Sequence, residues 1–144
     1  MMLRAILYGG LITGVLDIAD AAIASIVRGG SPIRMLQYIA SGLVGPSAAK
    51  GGLPMAALGL ALHFAIAMGA AVVYNVAARW IPVMTRGTWW CGPVYGLLVF
   101  AFMNLIVIPL AFGHLGKYTL PVLANLIFAT IFCVGLPIAL AARR

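Results

Sequence analysis

Four long apolar segments dominate the sequence and limit the folds that the chain can adopt. They cover approximately residues 3–27, 53–77, 90–112 and 119–141. Each is long enough to cross a bilayer, which takes about 20 helical residues. A backbone in lipid must satisfy its own hydrogen bonds, so such segments are expected to be helical. The sequence therefore predicts an all-α, polytopic four-helix bundle in a membrane, formed as a single transmembrane domain over residues 1–144.

The composition favours a bilayer over water as the solvent of this chain. Hydrophobic residues make up 65% of the sequence and charged residues 8%, whereas a soluble domain has about 25% charged residues. The net charge of +7 could indicate nucleic-acid binding, but the nine basic residues flank the apolar segments. Contacts with headgroups account for basic residues at such positions. We therefore expect the lipid bilayer as a partner and no nucleic acid.

The first apolar segment also has features of a cleavable signal peptide. It begins with a basic residue and contains an Ala-x-Ala sequence at Ala22–Ala24. Asp17 and Asp20 lie just before that sequence and fit a cleavage region poorly. The segment is therefore interpreted as a transmembrane helix.

The stretch between the first two spans, from Arg28 to Gly52, is short and largely apolar. Ser31 is suited to an N-cap, and Pro32 to the first helical position. The apolar residues that follow recur at helical spacing, namely Ile33, Leu36, Ile39 and Leu43. This pattern predicts an amphipathic helix over about 31–43 that lies in the membrane interface. A short re-entrant segment is the alternative.

The even number of predicted spans places both termini on one side of the membrane. Five basic residues would lie on that side: Arg4, Arg79, Arg86, Arg143 and Arg144. Four would lie on the other side: Arg28, Arg34, Lys50 and Lys117. The positive-inside rule therefore favours cytoplasmic termini.

Asp17 and Asp20 are the only acidic residues of the chain, and both lie in the first span. A central Asp costs about 2.5–3.5 kcal/mol on insertion scales, which disfavours a position facing lipid. The other spans carry polar residues at similar depth, namely His63, Asn104 and Asn125. At about 1.5 Å per residue, these side chains are predicted to meet inside the bundle as a polar layer with two adjacent levels. Asp17, His63 and Asn104 lie near the middle of their spans, and Asn125 matches the depth of Asp20.

The polar layer suggests a site that binds protons or ions. Two nearby carboxylates in a low dielectric do not both stay ionised, and protonated His63 could serve as their counter-ion. Such groups are typical of proton relays and coupled transporters, and carboxylate, amide and backbone oxygens also suit a cation. The predicted ion- or proton-binding residues are Asp17, Asp20, His63, Asn104 and Asn125. Alternatively, these residues only fix the register of the helices through hydrogen bonds worth about 0.6 kcal/mol each.

Small residues repeat at four-residue spacing on three spans, including Gly92 and Gly96 on the third, and such rows allow helix backbones to approach closely. The predicted helix-packing residues are Gly10 and Gly14 on the first span and Ala57, Ala61, Ala65 and Gly69 on the second. The seams that they form could lie within one chain, within a homo-oligomer or within a larger membrane complex.

No catalytic motif or cofactor fingerprint is present in the sequence, so neither an enzyme nor a bound cofactor or metal is predicted. His63 and His114 differ too much in depth to ligate one haem, and both aspartates lie on one helix, which does not suit intramembrane hydrolysis. Two functions remain. The first is a transporter- or channel-like protein with a buried carboxylate/histidine site that responds to protons or cations. The second is a non-catalytic accessory or scaffold subunit of a membrane complex.

Several segments carry a family resemblance, namely "GLITGVLDIADAAI", "LQYIASGLVG", "LGLALHFAIAMGAAVVYNVAARWIP" and "GPVYGLLVFAFMNLIVIPL". The chain resembles, over most of its length, the YagU-like family of small bacterial inner-membrane proteins. The most recognisable elements are "LHF" with the following Tyr74, and Met103, Asn104 and Pro109. The family has no established biochemical activity, so the resemblance implies a multi-pass protein of the bacterial inner membrane and little else. The compact Arg28–Gly52 stretch departs from the longer, more polar first loop of YagU.

Overall fold

The computed structural model describes residues 1–143, which form helices and connecting turns without a β-strand in that range. Four helices in it are long and apolar enough to cross a membrane: α1 (Met2–Val27), α3 (Gly52–Trp80), α5 (Thr88–Phe112) and α6 (Leu120–Ala141). Two shorter helices, α2 (Pro32–Val44) and α4 (Val83–Arg86), and a 3-10 turn (Pro46–Lys50) lie between them. The predicted all-α class and the four helices of spanning length are confirmed.

Helix α1 packs against both α3 and α6, and glycines make the first of these contacts close. A Cβ atom at Gly10 would lie 2.6 Å from the sulfur of Met68, and one at Gly14 would overlap the ring of Phe64. Both glycines therefore lie in the seam between α1 and α3. This seam fixes the register of the two helices and so places the polar residues of α1 next to those of α3.

Helices α5 and α6 are in close backbone contact. A Cβ atom at Gly96 would overlap the carbonyl oxygen of Thr130, and one at Gly135 would overlap that of Gly92. The obstacle in each case is backbone, which cannot rotate away as a side chain can. Glycine at these positions lets the two helices approach closely enough for dispersion contacts, which drive helix association in lipid.

Both α5 and α6 contain a widened, π-type turn, at Met103–Val107 and at Thr130–Gly135. Each turn comes directly before a proline-containing stretch, with Pro109 in α5 and Pro137 in α6. Proline lacks an N–H and its ring crowds the carbonyl four residues earlier, so the preceding turn relaxes to a wider spiral. The two spans are therefore irregular at membrane depth rather than straight α-helices.

The largest buried cluster of the interior lies at the end of the bundle that holds Met1 and Arg143, the two ends of the described chain. Tyr74 and Ile138 are fully buried there, together with Ala71 and Ala139. The Tyr74 hydroxyl donates a hydrogen bond to the carbonyl of Met84, at 2.8 Å. This end of the bundle is therefore closed by well-packed side chains.

Helix α2 crosses the opposite end of the bundle. Its first residues lie at the C-terminal end of α1, and the carbonyl of Leu36 fills the space above Gly59 of α3. Further along, the ring of Tyr38 stacks on Phe112 of α5 with a centroid distance of 4.8 Å. Helix α2 thus contacts three of the long helices and packs most extensively against α3.

Candidate functional site

The centre of the site is a pair of side chains from α1 and α3. His63 Nε2 lies 3.8 Å from Oδ2 of Asp17, and the exposed fractions of the two side chains are 13% and 30%. The same nitrogen lies 3.1 Å from the carbonyl oxygen of Gly14, to which it donates when it carries a proton. A carboxylate and an imidazole therefore face each other across the α1–α3 seam, and a small rotation of either would bring them within hydrogen-bond distance.

A second polar pair lies about one helical turn away, between α1 and α6. The amide nitrogen of Asn125 donates to Oδ2 of Asp20 at 3.0 Å. Both residues line a cleft of about 270 Å³ that also includes Arg28 and Pro121. The cleft lies at the end of the bundle away from the termini, so the Asp20 side chain is accessible to small ligands from that side.

The two pairs are adjacent because Asp17 and Asp20 share one face of α1, as residues three apart do. Thr13 extends the same face, and its hydroxyl donates to the carbonyl of Val134 in the widened turn of α6, at 3.3 Å. The face thus presents a hydroxyl and two carboxylates toward the neighbouring helices. Residue types and spacing revealed these side chains, but the acceptor role of the Gly14 carbonyl has no signal in the sequence.

Asn104 stands apart from the other predicted residues. Its amide nitrogen donates to the carbonyl of Phe100 on its own helix at 2.9 Å. Its oxygen Oδ1 is buried without a hydrogen-bond partner among the described residues. The structure therefore brings four of the five predicted polar residues together as two pairs and leaves Asn104 outside them.

Replacing Asn104 by leucine is expected to leave the free energy of unfolding unchanged or to raise it by about 1 kcal/mol. The substitution removes a buried oxygen that has no hydrogen-bond partner. Burying such an oxygen destabilises the folded state, so its removal should not reduce stability. Unfolding by SDS in mixed micelles, followed by circular dichroism, measures the effect. Asn125→Leu is the matched control and should be destabilising, because it leaves the Asp20 carboxylate without its donor. A clear loss of stability in Asn104→Leu would mean that Oδ1 has a partner after all.

The predicted row of small residues on α3 has a different environment from the glycines of α1. Ala57, Ala61 and Ala65 are exposed, and a Cβ atom at Gly69 would meet no atom within 4 Å. This row therefore makes no close helix contact within the described chain.

Within residues 1–143, no group of three or more His, Cys, Asp or Glu side chains is placed to hold a metal ion. A cation at the two pairs would therefore need amide and backbone oxygens in addition to the carboxylates, a ligand set that suits hard cations. A proton needs no such shell.

Comparison of the chain with family models, with curated proteins and with solved structures gives no match. The resemblance to the YagU-like family stays a prediction that rests on the segments quoted above. The function is therefore argued from the site itself.

Proposed function

We propose that the chain is a transporter- or channel-like protein whose two polar pairs bind and release a proton or a small cation. The observation that carries the proposal is the 3.8 Å approach of Asp17 and His63 between two long apolar helices. Ionisable groups at such depth are costly, and proteins retain them mainly at ion and proton pathways. In this proposal His63 serves as a proton acceptor and Asp17 as its counter-ion.

The proposed setting is the bacterial inner membrane, with the termini in the cytoplasm and α2 in the opposite interface. Arg4 and Arg143 line one cleft together, so both ends of the described chain lie at the same end of the bundle. Trp80 at the end of α3 and Trp89 and Trp90 at the start of α5 are exposed and flank the connection on that side. Arginines and tryptophans there fit the positive-inside rule and an interfacial aromatic belt.

The geometry supports access to the site from one side at a time. Asp20 lines the cleft at the α2 side, Asp17 lies one turn deeper, and His63 follows across the seam. Beyond His63, the packed interior around Tyr74 closes the route toward the termini. Release on that side therefore requires a rearrangement, for which the widened turns of α5 and α6 are suitable bending points.

Proton flux into liposomes tests this proposal. The full chain is reconstituted with a trapped pH-sensitive dye, and a potassium diffusion potential drives protons inward. Asp17→Asn and His63→Gln are each expected to lower the flux at least tenfold, because each removes one half of the exchanging pair. His114→Gln is the matched control, since His114 is exposed on the loop between α5 and α6, and it should retain the parent flux.

The proposal fails if folded parent protein gives no more flux of protons or monovalent cations than protein-free liposomes. It also fails if His63→Gln and His114→Gln behave alike. Circular dichroism of each reconstituted variant shows whether a lost flux reflects a lost fold.

A scaffold role is the second candidate, and the exposed row of Ala57, Ala61 and Ala65 favours it. A row of small residues that no helix of its own chain covers is suited to a helix from a membrane partner or from a second copy. In that case Asp20→Asn would lower stability, parent liposomes would show no flux, and Ala61→Leu would break the assembly.

A further inference from the structure

A polar cleft of about 720 Å³ lies between α2, the turn after it and the C-terminal end of α5. Its lining includes Arg34, Gln37, Tyr38, Ser41, Ala111 and Phe112. The polar members follow one face of α2 at helical spacing, whereas the α5 members are apolar. The cleft therefore has one polar wall and one apolar wall, at the end of the bundle where the proposed interface lies.

Arg34 in this cleft has no anionic partner among the residues that the structure describes. The chain contains two acidic residues, and these are engaged with His63 and Asn125. No carboxylate side chain lies within 4 Å of Arg34 in residues 1–143. An arginine beside a cleft at headgroup level is suited to a phosphate group, which its guanidinium can bind in bidentate fashion.

A second cleft, of about 560 Å³, separates α3 from α5. Its lining is almost entirely apolar and includes Ile66, Gly69, Val73, Leu98, Phe102 and Val107. The hydroxyl of Tyr95, which also lines it, already donates to the carbonyl of Ala70 at 2.6 Å. The cleft therefore offers nothing to a polar ligand and suits a hydrocarbon chain.

The two clefts follow one another along α5. Val107 lines the apolar cleft and Ala111 the polar one, and residues four apart lie one turn from each other. From Val107 to Tyr95 the apolar cleft follows α5 for about 18 Å and passes the middle of the helix. An acyl chain that enters from the α2 side would therefore reach slightly beyond the roughly 15 Å depth of one membrane leaflet. Together they form a groove with a cationic end and an apolar length, which has the dimensions and polarity of a phospholipid.

We propose that this groove binds an anionic phospholipid from the leaflet on the α2 side. Its phosphate contacts Arg34, and one acyl chain lies between α3 and α5. The stacked rings of Tyr38 and Phe112 hold α2 against α5 and so keep the polar end in place. This binding site is separate from the Asp17–His63 pair and does not depend on the function proposed for that pair.

Native mass spectrometry of the full chain in detergent tests the proposal. Phosphatidylglycerol and phosphatidylcholine with identical acyl chains are titrated in parallel, and phosphatidylglycerol is expected to bind about tenfold more tightly. Arg34→Gln should remove that preference. Lys117→Gln is the matched control, because it removes one charge from the same side without touching the groove, and it should keep the preference.

A second variant tests the apolar part of the groove between α3 and α5. Gly69→Phe fills open space, so it should fold and should weaken the binding of both lipids. Soluble glycerol phosphate should not compete with phosphatidylglycerol, since it lacks the chain.

Three outcomes would overturn the proposal. The first is equal binding of both lipids, and the second is competition by glycerol phosphate. The third is that the protein without lipid is a dimer and that Gly69→Phe converts it to a monomer. The last would mean that a second copy fills the groove.

Discussion

Replacing Gly96 by valine is expected to lower the free energy of unfolding by about 3 kcal/mol, at the upper end of the range for overpacked interiors. The added side chain would meet the carbonyl of Thr130, which is backbone of the facing helix α6. Helices α5 and α6 would have to separate, and the loss would extend along their whole seam. In lipid, no hydrophobic term offsets this loss, since the surrounding chains are as apolar as the side chains that pack.

Gly69→Val provides the matched control for this experiment. It makes the same change in another long helix, but at a position where a Cβ atom meets nothing within 4 Å. Its free energy of unfolding should stay within about 0.5 kcal/mol of the parent value. Unfolding in SDS mixed micelles measures both variants, and equal effects would contradict the packing described for α5 and α6.

The contrast between Gly96 and Gly69 also shows what the sequence could not predict. The four apolar segments followed from length and composition, because a spanning helix must be both long and apolar. The side of each helix that faces its neighbours did not follow. In a soluble protein, the buried face of a helix is recognised because apolar residues recur on that face alone. In a membrane, the faces that contact lipid and those that contact other helices are both apolar, so this periodicity is lost. The predicted row of small residues on α3 therefore had the same spacing as Gly10 and Gly14 but lies exposed.

The polar site was partly predictable for a different reason. Depth in a membrane can be counted along each span, and that count placed Asp17 with His63 and Asp20 with Asn125. The same count included Asn104, which the structure leaves outside. Asn104 lies in the widened turn of α5, and an extra residue in a turn rotates the side chains relative to a regular helix. The direction of Asn104 was therefore beyond a prediction that assumed regular spacing.

The two ends of the bundle differ in a way that bears on any transport mechanism. At the α2 end, clefts reach Asp20 and Arg34. At the terminal end, a cleft of about 250 Å³ lies beside Arg4 and Arg143, and the buried side chains around Tyr74 lie between it and His63. A carrier that opened toward the termini would have to loosen this interior, so its stability is coupled to the proposed function.

Replacing Tyr74 by alanine should therefore have the second large effect, a loss of about 3 kcal/mol in the free energy of unfolding. The side chain is fully buried, and its ring packs edge to face on Tyr95 at a centroid distance of 4.9 Å. Its removal leaves a cavity and forfeits those dispersion contacts. Tyr74→Phe keeps the ring and loses the hydrogen bond to Met84, so it should cost about 1 kcal/mol.

Tyr8→Ala separates the effect of burial from that of losing a tyrosine. Tyr8 lies on α1 with 63% of its surface exposed, and its removal should change stability by less than about 0.5 kcal/mol. The three variants are compared by unfolding in SDS mixed micelles and by proton flux in liposomes. If the Tyr74 interior is the closed gate, Tyr74→Ala should raise the flux of the protein that remains folded while Tyr8→Ala leaves it unchanged. A destabilised variant with unaltered flux would mean that this interior supports the fold and does not gate the pathway.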